Sequence, residues 1–207
     1  KTYAILKNMS RLFIAVDFPR SITEQIANLC HGVHGARWVP LEQMHLTLQF
    51  IGDVDDTTYH DIVENLDCIT LDTFSITLTG TGFFPPRKQP RVLWVGVEKS
   101  EELITLNNQI TECLEAAGVG PEKKKFHPHV TIARMRSNSS VHDVTPFLSG
   151  TALFKAGPIQ ISEFHLYSSI LRPQGAIHQR EVTYRQKKRI KAMQISRHEC
   201  QVSSLKW

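Results

Sequence analysis

Two four-residue units pair histidine with threonine: His45-Leu46-Thr47-Leu48 and His129-Val130-Thr131-Ile132, 84 residues apart. Both lie in stretches that otherwise read as buried strand, "HLTLQF" and "HPHVTIAR". Residues two apart on a strand share a face, so His45 and Thr47 oppose Leu46 and Leu48, and His129 and Thr131 oppose Val130 and Ile132. Two histidines can act near neutral pH as one base and one acid, since a free imidazole titrates near ~6.5. Threonine hydroxyls can donate to the non-bridging oxygens of a phosphate without adding charge. Together the four groups suit cleavage of a phosphodiester without a metal. A single His-x-Thr is a common accident of strand composition. Two copies at the same element of a repeat are not.

A metal site is the rival chemistry. His127-Pro128-His129 places two histidines on one face, and His31-x-x-His34 has ligand-like spacing. Neither His-x-Thr unit has an adjacent carboxylate or cysteine, so no metal is expected. His60, His142, His165, His178 and His198 show no partner in the sequence and are read as surface or packing residues. The G-x-x-x-x-G-K-[ST] loop, the G-x-G-x-x-G turn and the G-x-S-x-G elbow are missing, which argues against an ATP-driven mechanism.

The elements that would carry these units repeat. "RLFIAVDF" (11–18) reads as a buried strand, and "SITEQIANLCHGV" (21–33) as a helix opened by a Ser21/Glu24 capping box. The first motif strand, the helix "DDTTYHDIVENLDCI" and the alternating strand "FSITLTG" follow. The second half replays this as "RVLWVGV", the helix 100–118 stopped by Gly118, the second motif strand, a short helix "SVHDVTPFLSG" and the strand "IQISEFHLYSS". The expected fold is α+β and bilobal. Two pseudo-twofold-related lobes, each with an antiparallel sheet and helices, leave a cleft between them where both His/Thr faces meet.

With 41% apolar and 21% charged residues the composition is that of an ordinary globular protein. The net charge of +4 divides unevenly: residues 185–207 hold seven Lys/Arg against one acid, for +6, leaving −2 on the other 184. Recognition by the body is therefore expected to be local rather than through a global positive field. The expected division is an N-terminal extension 1–9, a catalytic domain 10–184 and a basic C-terminal extension 185–207. Four scattered cysteines (Cys30, Cys68, Cys113, Cys200) suit a reducing cytoplasm, and no apolar run is long enough to span a bilayer.

"RLFIAVDFP", "HLTL" followed by "FIGD", "PRVLWVGV" and "FHPHVTIAR" resemble the 2H phosphoesterases, and within them the bacterial RNA 2′,3′-cyclic phosphodiesterases, also called 2′-5′ RNA ligases, from about Ser10 to about Tyr184. The resemblance implies hydrolysis of RNA 2′,3′-cyclic phosphate ends to 2′-phosphates, with weak 2′-5′ ligation by the same groups. It implies no metal or nucleotide cofactor and RNA ends or short oligonucleotides as partners; a monomer is expected. His45 would be the proton donor and His129 the proton acceptor. Thr47, Thr131 and Arg134 would hold the phosphate. Strict alternation puts Arg134 on the core face unless the strand bulges. Phe50 stands in the same relation to His45, where packing is preferred to base stacking. Phe83, Phe84, Arg87, Lys88, Arg91 and Lys123–Lys125 offer a weakly specified RNA surface. The alternatives are another 2H substrate (ADP-ribose 1″,2″-cyclic phosphate or a 2′-5′ oligonucleotide) or a non-catalytic nucleotide-binding module.

Overall fold

The structure, a computed structural model, describes residues 10–86, 88–120, 125–172 and 175–185. The elements run β1 (Ser10–Asp17), α1 (Arg20–Ala27), β2 (Ala36–Trp38), β3 (His45–Val54), α2 (Asp56–Asp67), β4 (Phe74–Phe84) and β5 (Val92–Val97). Then come α3 (Glu101–Ala116), β6 (His129–Met135), α4 (Val141–Thr151), β7 (Lys155–Ile161), β8 (Glu163–Arg172) and β9 (Gly175–Arg185). The expected extension 1–9, residues 186–207 of the basic tail, Arg87, Lys123 and Lys124 lie outside the described residues.

Local chemistry sets the helix ends. Asp55 accepts the Thr58 N–H at 3.0 Å to start α2, and Ser100 accepts the Leu103 N–H at 3.1 Å to start α3. At the end of α3, Gly118 (φ 79°) donates to Glu115 O and Val119 to Leu114 O, at 3.0 and 2.9 Å, the double closure that a left-handed residue permits. The capping box expected at Ser21/Glu24 does not form. Pro19 is the cap residue of α1, its carbonyl takes the Ile22 N–H at 2.9 Å, and Glu24 instead pairs with Arg20 at 2.8 Å. The capping box sits on α4, between Ser140 and Asp143.

All these strands belong to one curled antiparallel sheet ordered β7-β4-β5-β6-β3-β1-β8-β9, with β2 on β6. Its left half carries α1 against β7 and α4 against β4; its right half carries α2 against β9 and α3 against β3. The α+β, two-lobed arrangement is present, with a difference in how the chain builds it. The last strand of each half crosses over: β4 pairs with β5 and β7, and β8 with β1 and β9. The stretch expected as one final strand, "IQISEFHLYSS", breaks at Ser162 into the end of β7 and the start of β8. Each belongs to a different lobe.

The lobes meet where β3 and β6 pair, and the register recorded there is Leu46 with Val130. Both side chains are fully buried. A pseudo-twofold axis passes through this pair, since each is the residue after its motif histidine. On the opposite face the axis relates His45 to His129 and Thr47 to Thr131, so that each histidine faces the other motif's threonine across the ladder.

Candidate active site

The two motif strands share one burial sequence. From His45 to Phe50 and from His129 to Arg134, each runs part-buried, buried, part-buried, buried, buried, exposed. The double buried step is a bulge in both. Along β1, Ile14 pairs with Gln49 and Ala15 with Thr47, skipping Leu48. Along β5, Leu93 pairs with Ala133 and Trp94 with Thr131, skipping Ile132. One extra residue reverses the alternation after it. Arg134 and Phe50 therefore turn to the same face as the histidines. Strict alternation, which put Arg134 on the core side, fails here. Phe50 is likewise not a packing residue: it is 60% exposed, its ring 6.2 Å from Phe13.

A bulge leaves a backbone carbonyl outside the ladder, and each of these two finds a donor. The Asn107 side-chain amide of α3 donates to Leu48 O at 2.8 Å, and the Val39 N–H donates to Ile132 O at 2.9 Å. Gln49, buried beside the first bulge, donates to Thr111 Oγ1 at 2.7 Å.

The histidine tautomers are set alike. His45 Nδ1–H donates to Gln43 O at 2.8 Å and His129 Nδ1–H to His127 O at 2.6 Å, each two residues upstream. A carbonyl only accepts, so Nδ1 carries the proton and Nε2 is the accepting nitrogen of each neutral ring. Aromatic groups hold the rings: Phe13 lies 5.1 Å from His45, and Phe84 meets His129 edge-on at 5.0 Å. Trp94 packs beside His127 at 5.2 Å. Its indole lies where a Cβ on Gly82 would come within 2.2 Å of it, so Gly82 makes its bed. Burial pushes His45 down to about 4, aided by the charge of His178 and opposed by the Gln43 carbonyl and Asp17. Burial also lowers His129, aided by the charge of His127 and opposed by its carbonyl. Without an anion between them, both imidazoles rest neutral at pH 7.

His178 is neither the surface nor the packing residue that the sequence suggests. It lies edge-on to His45 at 5.5 Å, and Arg134 of the other lobe depresses its proton affinity, after burial. His165 is the buried one, 1% exposed, with Nδ1 3.0 Å from Thr183 Oγ1. A cavity of about 490 Å³ opens beside His45, lined by Asp17, Gln43, Tyr167, His178 and Arg180. The Tyr167 hydroxyl donates to both Asp17 oxygens at 2.8 and 2.7 Å, and Arg180 pairs with the same carboxylate. No local spacing marks this set. Asp17, Tyr167, His178 and Arg180 come from β1, β8 and β9, and the charges in "GAIHQREVTYR" mask β9 as a strand in the sequence.

Of the expected RNA surface, Phe84 faces His129 while Phe83 packs on the core, and Lys88, Arg91 and Lys125 are exposed. Among the described residues no three His, Cys, Asp or Glu side chains cluster as metal ligands, and neither His31/His34 nor His127/His129 gains a third partner. Cys30, Cys68 and Cys113 are free thiols. No helix among the described residues is long and apolar enough to cross a membrane.

Residues 18–170, which include both motifs and the bulges after them, match the 2′-5′ RNA ligase superfamily. A protein of Archaeoglobus fulgidus named RNA 2′,3′-cyclic phosphodiesterase is 36% identical over 172 residues, 81% of this chain and 96% of that one. A Thermotoga maritima protein of the same name is 34% identical, over 81% of this chain and 91% of its own. The crystal structure of E. coli LigT complexed with 3′-AMP superposes with a TM-score of 0.70 at 25% identity, covering 86% of this chain and 98% of the other. On this match over most of its length, the chain belongs to the 2′-5′ RNA ligase superfamily.

Proposed function

We propose that the protein hydrolyses 2′,3′-cyclic phosphate ends of RNA and leaves a 2′-phosphate with a free 3′-hydroxyl. The observation that carries this is the pair of motif histidines on one face across a pseudo-twofold axis, each with Nδ1 tied to a carbonyl and Nε2 left to work. The relatives named RNA 2′,3′-cyclic phosphodiesterase support the substrate class.

In the proposed reaction a water forms the new P–O bond while His129 Nε2 takes its proton. The P–O3′ bond breaks, and His45 Nε2–H gives a proton to O3′. Water is consumed, and exchange with solvent returns both imidazoles to their starting states. The phosphate anion, once seated, supplies the charge that restores a proton to His45 against its burial. Thr47 and Thr131 donate to the non-bridging oxygens, and Arg134, brought to this face by the bulge, offsets the charge that builds on them. An RNA 5′-hydroxyl in place of water yields a 2′-5′ linkage with the same proton transfers and no energy source. No step calls for a metal or a nucleotide cofactor.

The test is to incubate the purified protein with excess EDTA and an oligonucleotide ending in a 2′,3′-cyclic phosphate, and to identify the product by ³¹P NMR. A 2′-phosphate is expected. A 3′-phosphate would reverse the leaving group, and loss of activity restored by Zn²⁺ or Mn²⁺ would replace the two-histidine chemistry with a metal.

A further inference from the structure

The pseudo-twofold relates the two histidines, so some feature outside it must decide which one gives the proton. The partner strands supply it. Thr47 lies opposite Ala15 on β1 and Thr131 opposite Trp94 on β5; two residues along, on the same face, His45 lies opposite Asp17 and His129 opposite Gly96. Residues directly opposite on paired strands share a face. Across the ladder, the first histidine thus has a carboxylate opposite it and the second a glycine. The difference is built in. A Cβ on Gly96 would stand 2.8 Å from the Thr79 carbonyl and 3.3 Å from the Trp94 ring, so no acidic side chain fits there.

We propose that Asp17 is the positioning residue that makes His45, and not His129, the proton donor, by setting a fixed carboxylate across the ladder from one motif histidine alone. This rests on the phosphodiesterase reading above. Asp17 is itself held by the Tyr167 hydroxyl, by Arg180, and by its place at the end of β1. The other titratable groups around His45 are His178 of β9 and His129 of β6, whose charges oppose its protonation, and Tyr167 of β8, with its ring 6.4 Å away. Asp17 is the group among them that favours the imidazolium. His129, by contrast, lies beside the rings of Phe84, Trp94 and His127, and its burial favours a neutral base against the His127 carbonyl.

The experiment compares kcat for a 2′,3′-cyclic nucleotide across pH in the wild type, Asp17→Asn and Tyr167→Phe, since kcat reports the complex in which the bound phosphate has restored the proton of His45. Losing the carboxylate lowers the proton affinity of the donor alone. The loss in Asp17→Asn should therefore grow with pH to about tenfold near pH 8, one pKa unit, and shrink toward the acid limb where only the base's protonation limits the rate. Tyr167→Phe removes a donor from Asp17 and leaves its charge less compensated, so its alkaline rates relative to its acid-limb rates should rise. NMR titration of the histidine Cε1–H signals with a 2′-nucleotide bound gives the direct readout: in Asp17→Asn the His45 signal should shift to lower pKa, and that of His129 much less. A loss by the same factor at every pH, or equal shifts of both histidines, would overturn the assignment and leave Asp17 a structural residue. If Asp17→Asn does not fold, Tyr167→Phe decides: no alkaline gain and no upward shift of His45 overturns it. An inactive wild type would instead sink the phosphodiesterase reading itself.

Discussion

His45 and His129 each lend one ring nitrogen to a carbonyl two residues upstream, and that bond is the smallest unit of the site. It was not visible in the sequence, though its cause was: a histidine opening a strand has the preceding turn within reach. The His-x-Thr repeat itself is local and could be read directly. Asp17, Tyr167, His178 and Arg180 could not, because they meet His45 only through strand pairing. One consequence at this scale concerns pH and stability. Folding pushes His45 down to about 4, so between its unfolded value near ~6.5 and that point the unfolded chain binds a proton and the folded one does not. The stability from neutral His45 is present in full above ~6.5 and lost as pH falls toward 4, by up to about 3 kcal/mol. Urea midpoints of His45→Gln should fall less between neutral pH and about pH 4.5 than those of the wild type. Equal slopes would show that His45 carries no such penalty.

The two motif strands would fail as simple strands. Period-two reading places Phe50 and Arg134 in the core, and the bulges at Leu48 and Ile132 turn both outward. Such an insertion leaves no local signature, because Leu48-Gln49 and Ile132-Ala133 read as further strand residues. Its support is what betrays it. Asn107 is buried in the apolar stripe of α3, where it weakens the helix pattern, and it serves the Leu48 carbonyl 59 residues away. Asn107→Leu keeps the branching and the number of heavy atoms, though its methyl groups are bulkier, and removes that donor. It should cost about 1–3 kcal/mol in urea unfolding, the range for leaving a buried carbonyl unpaired. The bulge would also relax and carry Phe50 and His45 with it, so kcat should fall in the folded variant. An Asn107→Leu protein as stable and active as the wild type would mean the bulge is held by strand pairing alone.

At the scale of the whole molecule, the order of elements was legible as a repeat, and the exchange of strands was not. Apolar periodicity tells that "FSITLTG" is a strand, but nothing in it says that β4 will pair with β5 and β7 rather than with β1. Charge in β9 hid the hairpin that carries His178 and Arg180 to the cleft. Exchange ties the lobes together through two crossings and leaves β3 and β6 to meet at Leu46 and Val130, with one motif histidine from each lobe on either side. The central claim is that these two histidines are one catalytic unit divided between lobes. The most direct test is kcat/KM for a 2′,3′-cyclic-phosphate oligonucleotide in His45→Ala, His129→Ala and the double variant, each shown to be folded. Groups that act as a unit are not additive. Each single change should lower kcat/KM by about 10²-fold or more, and the double by little beyond the worse single. A single variant that keeps more than about a tenth of the activity, or a double variant whose loss is the product of the two, would contradict it.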